Sequence, residues 1–284
     1  MTALSLRELT IRYGSTVAVD RVDVTVGRGE IVGVIGESGS GKSTLALAAQ
    51  GLLPAVADVE AGEMSIAGHD VTQFSEADWC RIRGKDTSMV FQEPMSALNP
   101  CQRIGRQIEE VLLLHGLADK RSAATRALEV LRLVRMPDAE RRLRYYPHQL
   151  SGGQRQRVVI AIALAANPSL IVADEPTTAL DVTVQAQVLD LLREARDVTG
   201  AGVLFISHDL GVVGQLCDRV YVVYRGRVVE SGVTSRVLGD PRHPYTRALL
   251  QSIPRPGIPA RTPLAVIRPE DHLEDVPAEL EEVP

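Results

Sequence analysis

Gly36-Glu37-Ser38-Gly39-Ser40-Gly41-Lys42-Ser43-Thr44 follows the apolar run Ile31-Val32-Gly33-Val34-Ile35 and leads into Leu45-Ala46-Leu47-Ala48. The stretch satisfies GxxxxGK[ST] in the setting where that pattern carries meaning, between a buried strand and a helix. Its glycines let successive backbone N–H groups turn toward phosphate oxygens. The helix that begins here, expected over Thr44 to Leu52, turns its positive dipole end toward the same point. Lys42 is placed to bridge a β- and a γ-phosphate, and Ser43 to offer its hydroxyl to Mg²⁺. The pattern points to a nucleoside triphosphate without choosing among the enzyme classes that use one.

Outward from this loop, strand and helix periods alternate. Toward the N-terminus, Val22, Val24 and Val26 alternate with Arg21, Asp23 and Thr25, the pattern of a half-buried strand. Leu4, Leu6, Leu9 and Ile11 form a second strand with a slip between Leu6 and Leu9. Toward the C-terminus the period lengthens: Ile104, Ile108, Val111 and Leu112, then Ala124, Leu128 and Leu131, fall at helical spacing. This helical stretch extends to about Ala166. Strands are expected at Leu170–Ala173, Val203–Ile206 and Val220–Val223, with a helix over Val184–Arg196. The alternation implies a mostly parallel sheet covered on both faces.

Leu170-Ile171-Val172-Ala173-Asp174-Glu175 adds chemistry to that frame. Asp174 ends a buried strand, where its carboxylate can hold Mg²⁺, and Glu175 can polarise a water for attack on a γ-phosphate. Leu150-Ser151-Gly152-Gly153-Gln154 opens an apolar helix, and a serine with two glycines at a helix N-terminus is a second anion site. The chain thus carries two phosphate-binding helix ends.

That pentapeptide is the signature motif of ABC-type ATPases, and the chain resembles them from Leu4 to about Ser252. The resemblance implies an α/β fold: a RecA-like P-loop core with an antiparallel β subdomain and an α-helical subdomain inserted at about residues 93–166, all within a domain of residues 1–252. It implies ATP and Mg²⁺ as ligands, with the P-loop of one subunit facing the signature Ser151, Gly152, Gly153 and Gln154 of another. Gln92 resembles the Q-loop glutamine, which contacts Mg²⁺ or water and senses the membrane partner. Thr178-Ala179-Leu180-Asp181 resembles the D-loop, and Ser207-His208-Asp209 the switch-histidine segment, with His208 on the γ-phosphate. In this frame Glu175 is the general base. Tyr13 resembles the aromatic that stacks on adenine; an aromatic simply closing a strand is the other reading.

Longer matches narrow the branch. Met89 to Pro100 looks like the extended Q-loop of the oligopeptide, dipeptide and nickel importers, and so do Tyr146-Pro147-His148 and His243-Pro244-Tyr245-Thr246-Arg247-Ala248-Leu249-Leu250. Such ATPases sit on the cytoplasmic face of the membrane with two transmembrane permease subunits, a second related ATPase and, indirectly, an extracytoplasmic solute-binding protein. Many peptide-importer members carry a C-terminal iron–sulfur cluster. No cysteine follows Cys217 here, so none is expected, and a nickel or metallophore importer remains an alternative. A non-transport cassette such as a phosphonate-breakdown accessory ATPase is a further alternative; the Gln92 to Pro100 segment favours the importer.

Composition agrees with these limits. A net charge of −5 and only three lysines, Lys42, Lys85 and Lys120, leave no basic stripe for nucleic acid. Cys80, Cys101 and Cys217 lack metal-ligand spacing and fit a reducing compartment. The longest apolar run, Val158 to Ala166, is too short to span a bilayer. Residues 253–284 read as a Pro-rich then acidic, poorly ordered tail, with seven acids and one arginine between Leu264 and Pro284.

Overall fold

The computed structural model describes residues 2–178, 181–252 and 277–280. The N-terminal sheet is antiparallel. It comprises β1 (Thr2–Tyr13), β2 (Thr16–Gly27), β4 (Ala57–Glu60), β5 (Glu63–Ile66) and β6 (His69–Asp70), with β1 and β2 forming its long hairpin. The slip expected in β1 is a register shift between Leu6 and Leu9, where Glu8 takes φ 49° and its N–H bonds Asp23 at 2.7 Å.

The second sheet is built from β3 (Ile31–Ile35), β7 (Thr87–Val90), β8 (Leu170–Asp174), β9 (Gly202–Ile206), β10 (Arg219–Tyr224) and β11 (Arg227–Val233), in the order β11-β10-β3-β9-β8-β7. Only β11 runs antiparallel to its neighbour. Both faces are covered, which explains the unbroken apolar runs. Val32 and Val34 face a core shared with Leu4, Leu6, Val24 and Val26 of the first sheet and with Leu45 of α1 (Lys42–Ala48). Ile31 and Ile35 face the opposite core, together with Val188 and Leu192 of α8 (Val182–Thr199) and Val213 of α9 (Leu210–Leu216).

Helix α1 is shorter than the spacing predicts. Leu52 N–H bonds Leu47 C=O at 2.9 Å and Gly51 N–H bonds Ala48 C=O at 3.0 Å, a Schellman closure that requires Gly51 at φ 59°. A Cβ there would lie 2.2 Å from the buried indole of Trp79 in α2 (Glu76–Ile82).

Between β7 and β8 lie α3 (Pro94–Ala97), α4 (Ile104–Leu114), α5 (Lys120–Leu133), α6 (Ala139–Arg142), a 3₁₀ turn at Pro147–Gln149 and α7 (Gly152–Leu164). Ile104, Ile108 and Leu112 are buried as the spacing predicts. In α5 the expected face holds at Leu131, which is buried, and at Leu128, which packs against the core, but not at Ala124. Ala124 is exposed, and Ala123, Ala127, Val130 and Leu131 make the buried stripe, because a run with several alanines leaves the phase to the partners α4 and α7. The chain finishes through α10 (Thr234–Gly239) and α11 (Pro244–Gln251). No helix among the described residues is long and apolar enough to cross a membrane.

Most of the segment expected as a tail, residues 253–276 and 281–284, lies outside the described residues. Its described part, Pro277–Leu280, lies along β11: Glu279 N–H bonds Val229 C=O at 2.8 Å and Ser231 N–H bonds Glu279 C=O at 3.0 Å.

Candidate nucleotide site at the ends of β3, β8 and β9

Three neighbouring parallel strands end together. Val34 of β3 is in register with Ile206 of β9, and Ile206 with Asp174 of β8. The next residues of each strand, Ile35-Gly36, Ser207-His208 and Glu175, therefore emerge at one edge, the carboxyl end of the strands, where open α/β sheets bind ligands. Gly36 cannot be replaced without moving backbone, since a Cβ would stand 2.1 Å from Val223 C=O.

The sequence-predicted residues meet here. Lys42 is buried, and its ammonium donates to the carbonyls of Gly36 at 2.9 Å and Glu37 at 2.7 Å. Burial lowers its pKa, against the opposing pull of the Glu175, Asp174 and Glu37 carboxylates. Ser43 Oγ donates to Asp174 at 3.2 Å. Burial holds the Asp174 carboxyl above its ordinary range; the Ser43 bond pulls it down, the Glu175 charge pushes it up, and Lys42 pulls it down.

Glu175 is the hub. Gln92 Nε2 donates to its Oε2 at 3.0 Å, Thr178 Oγ1 to the same oxygen at 2.9 Å, and His208 Nδ1 to Oε1 at 3.1 Å. Burial raises the carboxyl's pKa, but the His208 and Thr178 bonds and then the His208 and Lys42 charges outweigh it, so it lies below the ordinary value. Its backbone takes φ 46°, unusual for a non-glycine, and is pinned by its N–H bonding Ile206 C=O at 2.9 Å. The arrangement can hold an anionic tri-oxygen group on Lys42 and the loop amides while keeping one ionised carboxylate ready to take a proton.

Other expected residues lie apart. Ser151 caps α7: its Oγ accepts Gln154 N–H at 3.4 Å, while Gln154 Oε1 accepts Ser151 N–H at 3.2 Å. Gly152 is exposed and Gly153 half-buried. Among the described residues, no hydrogen bond or ion pair joins Ser151–Gln154 to Gly36–Thr44. A cleft of about 180 Å³ lies between Gln92–Met95 and the start of α7 at Gly152 and Arg155. Asp181 caps α8 by accepting Val184 N–H at 2.9 Å, and Ala179 and Leu180 lie outside the described residues. Tyr13 is half-buried at the end of β1, paired with Thr16 and Ala57. Two contacts escaped the sequence reading: the Thr178 hydroxyl on Glu175, and Tyr245, whose hydroxyl accepts Glu37 N–H at 3.0 Å.

No group of three His, Cys, Asp or Glu side chains converges to hold a metal among the described residues. The hydroxyl and carboxylate of Ser43 and Asp174 are hard oxygen donors. They fit Mg²⁺, which takes one or two protein ligands and fills its shell with phosphate oxygens and water.

A Walker-type strand end, a P-loop and a capped signature helix in one α/β chain define an ATP-hydrolysing cassette. The comparisons place it: the ABC transporter family model matches residues 19–178, and this chain belongs to that family. A second model, for the C-terminal region of oligopeptide/dipeptide transporters, matches residues 229–277. The chain is 49% identical over 261 residues to the probable D,D-dipeptide transport ATP-binding protein DdpD of Escherichia coli (strain K12), covering 90% of this chain and 80% of that one. It is 50% identical over 238 residues to the oligopeptide transport ATP-binding protein AppD of Bacillus subtilis (strain 168), covering 84% and 73%. Among solved structures, the dimeric post-hydrolysis state of an ATP-binding cassette bound to ADP and Pi matches with TM-score 0.71 at 30% identity, covering 81% and 98%. A second solved structure, cbiO1 from Clostridium perfringens, part of the ABC transporter complex cbiONQ, matches with TM-score 0.74 at 25% identity, covering 84% and 91%.

Proposed function

We propose that this chain is the ATPase subunit of an importer for di- or oligopeptides, seated peripherally at the cytoplasmic face of the membrane on two permease subunits and paired with a second, related ATPase. The observation that carries the reading is the hub at Glu175, whose carboxylate is gripped by Gln92, Thr178 and His208 beside the Ser43–Asp174 pair and Lys42. The names of the relatives support a peptide cargo.

In this reading Lys42, resting on the carbonyls of Gly36 and Glu37, neutralises the β- and γ-phosphates, with the amides of Ser38 to Thr44 completing the cradle. Ser43 and Asp174 would hold Mg²⁺, with Gln92 adjacent, and the ion would neutralise phosphate charge. Glu175 takes the proton of the attacking water, and His208 orients the γ-phosphate. The signature serine of the paired ATPase closes this site from the other side, Ser151 closes the partner's site in turn, and Asp181 lies on the path between the two sites. Tyr13 offers its ring to adenine. The Gln92 segment then carries closure to the permeases through the cleft beside α7.

The test is a mild-detergent pull-down of the tagged Glu175→Gln chain with ATP, followed by mass spectrometry. Recovery of two permeases and a related ATPase is expected, and the associated binding protein then identifies the solute. Recovery of a soluble lyase assembly alone overturns the importer, and a binding protein that takes nickel or a metallophore replaces the peptide cargo.

A further inference from the structure

The segment His243–Leu250 has no part in the mechanism above, yet it reaches the phosphate loop. Tyr245, in the first turn of α11, is completely buried, and its hydroxyl accepts Glu37 N–H at 3.0 Å across 208 positions of sequence. Glu37 itself is an exposed residue. The same residue's carbonyl accepts the Lys42 ammonium at 2.7 Å. Glu37 is thus held on both sides, by the tyrosine through its N–H and by the P-loop lysine through its C=O.

The tyrosine is itself held in place. Its ring centre lies 4.3 Å from that of Tyr224, the last residue of β10. Its N–H is accepted by His243 Nδ1 at 3.1 Å, and the turn before it is fastened by Glu230 of β11. That carboxylate has no exposed surface and accepts Arg242 N–H and His243 N–H, each at 3.0 Å. Burial pushes the phenol up to about 12, so the hydroxyl stays protonated and neutral at any physiological pH.

We propose that Tyr245 is a positioning residue for the nucleotide: its hydroxyl fixes the outer limb of the P-loop at Glu37, and with it the resting place of Lys42, before ATP arrives. The inference rests on the reading of Gly36–Ser43 as the phosphate cradle. A loop already fastened in its binding shape loses less freedom on binding. A loop that samples other shapes binds more weakly in proportion to the fraction that is competent. The hydroxyl touches no reacting atom, so its effect belongs in affinity and not in the chemical step.

The experiment uses the full chain and Tyr245→Phe, which keeps the ring and deletes only the acceptor. ATP affinity, read with MgATP and a fluorescent ATP analogue, should weaken by about 2- to 10-fold, the worth of one hydrogen bond, with KM rising in step and kcat at saturating ATP unchanged. A loss of kcat at unchanged KM, or no change in either, overturns the proposal. Hydrogen exchange on the unmodified, nucleotide-free chain tests it independently of how the variant folds: the Glu37 amide should exchange slowly despite its exposed side chain, and a fast amide overturns the proposal. In Tyr245→Phe that amide should speed up while those of β3 and α11 stay protected. Lys42→Ala is the reference. If it loses ATP while Tyr245→Phe binds normally, only the tyrosine's role falls; if Lys42→Ala binds ATP normally, the cradle reading falls and this inference with it.

Discussion

At the ends of β3, β8 and β9, Lys42, Ser43, Gln92, Asp174, Glu175, Thr178 and His208 are bonded to one another or to the loop that holds them. At the start of α7, Ser151 and Gln154 are bonded to each other and, among the described residues, to nothing in the P-loop. Both regions present N–H groups suited to phosphate. The first is assembled within one chain by strand register, and the second is left as an open helix end. On the proposed function, the first region is the half of the site that one chain completes by itself and the second is the half that awaits a facing cassette.

The contrast between the two regions is most exposed to test at the hub. Glu175→Gln keeps the shape but removes the base, and hydrolysis should fall by about 100- to 10,000-fold while ATP binding persists, as steady-state phosphate release and a binding assay would show. Turnover at the original rate would remove Glu175 from the role of base.

Next in size, Ser151→Ala should lower turnover by about 10- to 100-fold, the worth of one hydrogen bond to a charged group, yet leave ATP affinity of the dilute, monomeric chain unchanged. Weakened binding in the monomer would mean that α7 serves its own P-loop, and the contrast between the regions would collapse.

The smallest effect separates the two adjacent acids. Burial raises Asp174, so its contribution to stability is present below the unfolded pKa and is lost as pH rises through the folded value. Asp174→Asn should therefore raise the melting temperature of the nucleotide-free chain at neutral pH, with the gain fading on acidification. Glu175 is lowered, so its contribution is present above the unfolded pKa and is lost as pH falls through the folded value. Glu175→Gln should accordingly show a small decrease at neutral pH. Thermal melts from pH 4 to 8 read both signs.

The parts legible in the sequence were those with a short-range cause. Apolar runs gave β3, β8 and β9; the alternation of Val22, Val24 and Val26 gave β2; and the slip in β1 followed from two leucines out of phase. The site was readable because its residues sit one or two positions beyond those strands, so register alone brings them together. Residues 57–82 were not read: β4 is largely exposed and carries no alternation, and β5 and β6 are too short to show a period. In α5 Leu128 and Leu131 mark the packed face as expected, and only Ala124 falls off it, because alanines mark no face of their own. Tyr245 stands in a segment that resembles the peptide and nickel importers, but a bond across 208 positions leaves no trace in local spacing.

The two backbone bonds from Glu279 to Val229 and Ser231 have a practical side. They occupy part of the outer margin of the six-stranded sheet, whose open N–H and C=O groups would otherwise be a template for a stranger's strand. Shortened versions of this chain that end before Pro277 uncover that margin, and their tendency to clump during expression should be weighed against the convenience of trimming the acidic end.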